Sequence, residues 1–271
     1  MHCDIIGRPC CVGLVGQCIL TTREFCEFQN GYFHQEAFLC SQVSCLGDVC
    51  GMIPFADDDR PDQFYRLWTP IFLHAGVIHL LISIAFQWTI MRHLEKYAGW
   101  FRIAIIFIFS GIVGNLASAI FTPYHAEAGP TGSHFGLIAS LVVTLIVDII
   151  NYRKDYRSPL MAVLRLVGIC LVLFAVGLLP FVDNWAHVFG FTYGAILSCL
   201  LLPDVAVRGV RRLTIVIVSL LLAVAIPTGL VLLFYYFPVY ECEACAYFNC
   251  IPFYPSFCAT RRIQLPSLVK T

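Results

Sequence analysis

Polar and apolar positions divide this chain sharply. Residues 1–66 are polar, cysteine-rich and punctuated by Gly and Pro, without sustained helical or strand periodicity, which predicts an irregular domain held by cross-links. From Leu67 onward, apolar runs recur at about 68–91, 103–122, 130–150, 160–181, 185–203 and 213–237, separated by short polar joints. Each run is near the roughly 20 residues that cross about 30 Å of hydrocarbon. Backbone groups in lipid must be satisfied within their own segment, so the runs predict six transmembrane helices. The expected fold is an all-α polytopic membrane bundle over 67–237, with the cysteine-rich domain (1–66) before it and a cysteine-containing tail (238–271) after it.

Composition agrees with the pattern. With 59% hydrophobic residues, 13% charged and a mean hydropathy of +0.80, the chain has too much apolar surface for a soluble domain. A formal net charge of zero gives no reason to expect a nucleic-acid partner, so charge matters through its placement. Arg92, Lys96 and Arg102 fill the first joint, Arg153, Lys154 and Arg157 the third, and Arg208, Arg211 and Arg212 the fifth, whereas the second and fourth have neither Lys nor Arg. Under the positive-inside rule the odd joints are cytosolic, and both chain ends then face the lumen or exterior.

Those ends carry the cysteines: Cys3, Cys10, Cys11, Cys18, Cys26, Cys40, Cys45 and Cys50 in the first, and Cys242, Cys245, Cys250 and Cys258 in the second. Charge and redox chemistry agree, which favours disulfides over zinc; the sequence leaves the pairing open. Met1-His2-Cys3-Asp4 has neither the basic flank nor the apolar core of a signal peptide, so either the first span carries a short N-terminal domain across or, the reading favoured here, the chain is a piece of a longer protein.

Candidate chemistry lies inside the bundle. The stretch Gly129-Pro130-Thr131-Gly132-Ser133-His134 opens the third apolar run, and read plainly it is a helix start with Pro at its first position. His79 and Ser83, four apart, share a face of the first run, and intramembrane imidazoles normally face the bundle interior or a wet cavity. The run Ser110-Gly111-Ile112-Val113-Gly114-Asn115 is a small-residue stripe for close packing, with Asn115 bonding across. His187 begins the fifth run, followed by Gly190 and Gly194, a face that lets this helix lie tight against a neighbour. Thr131 and His187 enter from the same side at similar depth, so a hydroxyl and an imidazole could meet there. No carboxylate joins His74, His79, His134 and His187 at ligand spacing, so neither a metal nor a cofactor is expected. The runs also lack paired ionisable residues at mid-depth, which argues against a transporter.

Taken together, Arg66/Trp68, His74/His79, Gly129-Pro130-Thr131-Gly132 and the His187/Gly190/Gly194 helix resemble the rhomboid family of intramembrane serine proteases. In active rhomboids a Ser at position 131 and the His at 187 form a catalytic dyad, and residues matching His79 and Ser83, the latter normally Asn, help hold the oxyanion. Pro130, together with the segments of residues 7–66, looks like the inactive rhomboids, or iRhoms, whose lumenal homology domain precedes the bundle. The resemblance implies residence in the endoplasmic reticulum and secretory route. It also implies transmembrane clients: a membrane metalloprotease sheddase and precursors of epidermal-growth-factor-type ligands.

Inactivity also has a physical basis. Thr is β-branched and has fewer rotamers than Ser, and Pro130 fixes its own φ and extends Gly129. The hydroxyl is expected to be misaimed, and Ser83 is too short to replace an Asn donor. Losing one oxyanion donor costs about 2.7–4 kcal/mol, and a misplaced nucleophile removes about another hundredfold in rate. No functional catalytic residue is therefore expected; the competing reading is a serine-type endopeptidase using Thr131 and His187.

Overall fold

A computed structural model describes residues 7–12, 16–29, 31–45, 47, 53, 61–122, 127–151, 158–179, 182–202, 210–236, 242–253 and 257–258. Cys3, Cys50 and the basic residues Arg153, Lys154, Arg157 and Arg208 lie outside them. The described residues fall in two compact units, one within 1–63 and the other within 64–261.

The first unit is more regular than the sequence suggests. Strand β1 (Arg8–Val12) pairs antiparallel with β2 (Gln17–Thr21) on one side and with β3 (Tyr32–Phe33) on the other, giving the order β2-β1-β3. Helix α1 (Arg23–Phe28) begins at Thr22, whose Oγ1 accepts from the Phe25 N–H at 3.3 Å. Neighbouring residues of a strand point to opposite faces, so Cys10 and Cys11 anchor two directions at once: Cys10 bonds Cys26 of α1, and Cys11 bonds Cys45. A third bridge, Cys18–Cys40, ties β2 to a 3₁₀ turn at Cys40–Gln42. Strands as short as these carry too little alternation to be read from sequence. In so small a unit cross-links do what a hydrophobic core would otherwise do.

The second unit is helical. Helix α2 (Tyr65–Trp68) and a 3₁₀ turn (Thr69–Phe72) are followed by a break, then by α3 (Val77–Phe86), a π-helical turn (Gln87–Met91) and α4 (Arg92–Ala98), which run on as one helix. The first apolar run, 68–91, is thus not a single span. The chain breaks after Phe72, where Leu73 turns extended; the Pro70 carbonyl accepts both from the Leu73 N–H at 3.2 Å, closing the 3₁₀ turn, and from the Gly129 N–H at 2.9 Å, tying the break to the turn before α6. Nor is the first basic joint a loop: Arg92 stands over the Trp88 ring at 4.5 Å on the helix surface, and the turn falls at Gly99, whose φ of 90° suits glycine. Long cationic side chains need no break in a helix, since they reach water from its flank.

Helices α5 (Trp100–Phe121), α6 (Thr131–Asn151), α7 (Pro159–Val176), α8 (Asn184–Leu201) and α9 (Val210–Tyr236) follow, and α10 (Glu243–Asn249) ends the described chain's helices. The predicted fourth run, 160–181, stops earlier, at Val176 before Gly177. Among the described residues four helices are long and apolar enough to cross a membrane (Val77–Ala98, Trp100–Phe121, Thr131–Ile149 and Arg212–Tyr236) and Leu160–Val176 is a shorter apolar one, against the six spans expected. The core packs α5, α6 and α8 around Ile103, Ile106, Ala117, Leu137 and Leu197. Helix α9 joins through the Tyr193 Oη, which donates to the Ala223 carbonyl at 2.9 Å.

Candidate functional site

Glycines set the depth of the site. A Cβ on Gly190 would lie 2.3 Å from the Gly132 carbonyl oxygen, and one on Gly194 would lie 2.3 Å from the Gly136 Cα, so α6 and α8 touch backbone to backbone over two turns. The predicted glycine face of the fifth run is real, and its partners are the glycines that follow Thr131. Helix α5 closes the third side: a Cβ on Gly114 would meet the Ala186 carbonyl oxygen at 2.8 Å. Below these contacts the buried Ser140 and Ser198 hydroxyls bond at 2.7 Å. Asn115 bonds across as expected, its Nδ2 donating to the Leu67 carbonyl at 2.9 Å.

These contacts bring the candidate residues to one level without joining them. Pro130 is fully buried, and Thr131 is the first residue of α6. Gly129 has a φ of 108° and carries the His79 ring against it; a Cβ there would lie 2.4 Å from the imidazole Cε1. His79 also meets His74 edge to face at 5.3 Å, and its Nδ1 accepts from the Ala75 N–H at 3.4 Å. Ser83, one turn along, is 2% exposed. His187 is buried, stacked on Phe135 at 3.9 Å with its ring nearly parallel, and its Nδ1 has no hydrogen-bond partner. No hydrogen bond links Thr131 to His187 among the described residues. The imidazole lacks both an orienting acceptor on one nitrogen and a hydroxyl on the other, whereas a nucleophile–base pair needs hydrogen-bond reach.

Three features escaped the sequence reading. His134 stacks on Phe86 at 4.2 Å, where α3 gives way to the π turn. The Ser133 hydroxyl is buried without a partner beside Gly111. Above His187, the tail covers the start of α8: Asn249 Oδ1 accepts from the Asn184 N–H at 2.8 Å, Asn184 Nδ2 donates to the Phe248 carbonyl at 3.1 Å, and Trp185 Nε1 donates to the Cys245 carbonyl at 3.2 Å. The tail thereby satisfies helix-start N–H groups that would otherwise lie buried and unbonded. Bridges Cys242–Cys245 and Cys250–Cys258 flank this cap, so the lone Cys-x-x-Cys forms a disulfide. Asp183 was legible as a helix cap, since its Oδ1 accepts from the Trp185 N–H at 2.9 Å; contacts with the distant tail had no local signal.

Helices bound by glycine, a Gly-Pro turn under a histidine and a second histidine on the facing helix define a rhomboid-type bundle. The sequence model described as the Rhomboid domain matches residues 61–204, and the chain belongs to that family. It is a homologue of the inactive rhomboid proteins: it is 50% identical to inactive rhomboid protein 1 of Bos taurus, 51% to that of Danio rerio and 52% to inactive rhomboid protein 2 of Homo sapiens. Each similarity extends over 95% of this chain and 30% of the relative's length. The relatives' names mark them as pseudoproteases, and the chain's apolar helices make it a multi-pass membrane protein.

Proposed function

We propose that this chain is the membrane-embedded part of a rhomboid pseudoprotease that grips transmembrane clients of the secretory pathway without cutting them. In this reading the basic joints lie on the cytosolic side and both cysteine-rich ends in the lumen, where disulfides persist. The observation that carries the reading is the buried His187 ring, held against Phe135 with no bond to Thr131. The positions normally devoted to attack and oxyanion binding are filled by Thr131, behind a buried Pro130, and by Ser83.

Client binding draws support from the periphery. Helix α7 leans on α6 through Phe174 against Phe135, leaving Leu164, Val167 and Leu171 exposed. On the far side of the α6 start, α3 exposes Ile78, Leu81 and Ile82. An apolar groove of about 230 Å³ runs between α6 and α7 past Val142, Ile146 and Val163. Such surfaces suit a client helix through packing and interhelical hydrogen bonds worth about 0.6–2 kcal/mol each. The clients implied by the family are a membrane metalloprotease sheddase of the ADAM type and EGF-like ligand precursors, whose trafficking or stability the protein would regulate.

Co-precipitation from cells tests this reading: candidate sheddase and ligand precursors should be recovered with the protein, and polar substitutions at Leu164, Val167 and Leu171 should release them. Recovery that survives both those substitutions and removal of residues 1–66 would defeat it. A fluorophosphonate probe should leave the purified protein unlabelled; a covalent adduct lost on Thr131→Ala would establish the protease reading instead.

A further inference from the structure

Four elements converge above His187, and each brings a polar side chain to one spot: Ser118 near the end of α5, Glu127 in the turn before α6, Asp183 before α8 and Asn249 of α10. Asp183 is 4% exposed. Its Oδ1 caps the α8 start, while its Oδ2 is buried and receives no N–H or O–H. The Glu127 carboxyl lies within hydrogen-bonding reach of Asp183, and the Ser118 and Asn249 side chains also reach Asp183. Glu127 Oε1 in turn accepts from the Ser118 hydroxyl at 3.1 Å. Two ionised carboxylates in contact repel and cannot bond. With one proton between them, the same contact becomes an O–H···O hydrogen bond and the orphaned oxygen is satisfied.

We propose that Glu127 and Asp183 share a single proton, and that taking up this proton fastens α10 over the start of α8 while losing it loosens the cap. The proton comes from water and returns to it: uptake changes the pair's charge from −2 to −1, and the carboxyl that holds it donates to the other. Coupling to the tail follows from position, because Asn249 sits on both Asn184 and Asp183, and lifting α10 lets water reach the pair. The titratable groups facing Asp183 are Glu127 from the turn and His187 from the next turn of α8; α5 presents the Ser118 hydroxyl and α10 the Asn249 amide.

The sign of the effect follows from the carboxyl's environment. Burial pushes Asp183 up from its ordinary value of 3.8 to about 6, the negative charge of Glu127 adds to the shift, and the Ser118 and Asn249 bonds oppose it. A carboxyl raised in the closed state favours closure in acid, and that advantage is lost as pH rises through about 6. If opening hydrates the pair fully, the closed-to-open ratio falls by about fourfold between pH about 5.5 and about 7.2. Glu127 stays near Asp183 after opening, so the expected change is about two- to fourfold.

Hydrogen–deuterium exchange of the whole chain in lipid nanodiscs, under non-reducing conditions, measures it. After correction for intrinsic exchange, peptides over Glu243–Ile251 should open about two- to fourfold more at neutral pH than in acid, while peptides in the middle of α5 stay unchanged. In Asp183→Asn the step should vanish, and in Glu127→Gln it should shrink, because the burial that chiefly raises Asp183 remains while the charge of Glu127 is gone. A wild-type tail indifferent to pH would overturn the proposal, and so would a step that persists in both variants, which would assign the titration to His187. Calcium restoring protection at neutral pH would also overturn it, since the pair would then be a cation site.

Discussion

The α6–α8 contact makes a sharp prediction for Gly194→Ala. The added methyl would start 2.3 Å from the Gly136 Cα and 2.6 Å from its carbonyl oxygen, both backbone atoms that no rotamer change can move. Reaching an ordinary carbon–carbon separation of about 3.5 Å requires the helices to part by roughly 1 Å. Overpacking of this kind costs about 1–3 kcal/mol, and the Ser140–Ser198 bond one turn further in, stretched by the same movement, is worth about 0.6 kcal/mol. Alanine's higher helix propensity returns up to about 1 kcal/mol. Gly168→Ala of α7 gives the control, because a Cβ there meets nothing within 4 Å and it carries the same propensity gain. Reversible unfolding in mixed micelles, followed by far-UV ellipticity, should therefore place Gly194→Ala about 2–4 kcal/mol below Gly168→Ala. Two variants within about 0.5 kcal/mol of each other would refute the backbone-to-backbone packing on which the site's depth rests.

Other consequences are simpler to state. Asn115→Ala removes the donor to the Leu67 carbonyl and should cost about 1–2 kcal/mol in the same unfolding assay, whereas Asn115→Gln, which keeps an amide, should cost less. Without reductant, an alkylating reagent applied to the denatured chain should modify Cys170 and Cys199 and spare the ten cysteines bridged in the structure. Replacing the pair Cys11 and Cys45, which closes 34 residues, should cost the first unit about 2–4 kcal/mol, read as protease sensitivity confined to residues 1–63.

What could be read in advance was whatever depends on local pattern. Apolar runs longer than a helical turn survive small errors at their ends, so the helices after the first run fell close to their expected places, and the glycine spacing of Gly190 and Gly194 needed only a neighbour to act on. The break between Phe72 and Val77 was hidden because most of its residues are apolar or small enough to pass within an apolar run, and the bond that ties it down, from Gly129 to the Pro70 carbonyl, is distant and leaves no record in hydropathy. The cap of α10 on α8 was hidden for the same reason, since Asn184 and Asn249 are 65 positions apart. Cysteine number and compartment predicted bridges; their pairing required the register of β1 against β2, which strands of five residues do not announce.

The missing Thr131–His187 bond and the tightness of the bundle have a common cause. Gly132 and Gly190 hold the two backbones in contact directly beside the two side chains, so neither helix can rotate to bring hydroxyl and imidazole together without a backbone clash. Upstream, the bond from Gly129 to Pro70 and the ring of His79 pin the turn, and Pro130 removes the freedom in φ that could re-aim Thr131. Downstream, the His187 ring gives its face to Phe135, a contact worth about 0.5–1.5 kcal/mol beyond burial that must be surrendered before the imidazole can turn. Thr131→Ser alone adds a rotamer and relieves none of these constraints, so it should remain unlabelled by a fluorophosphonate. The constraints that silence attack also keep α5, α6 and α8 rigid, leaving α3 and α7, whose exposed apolar side chains are uncovered, as the elements least held by the packed core.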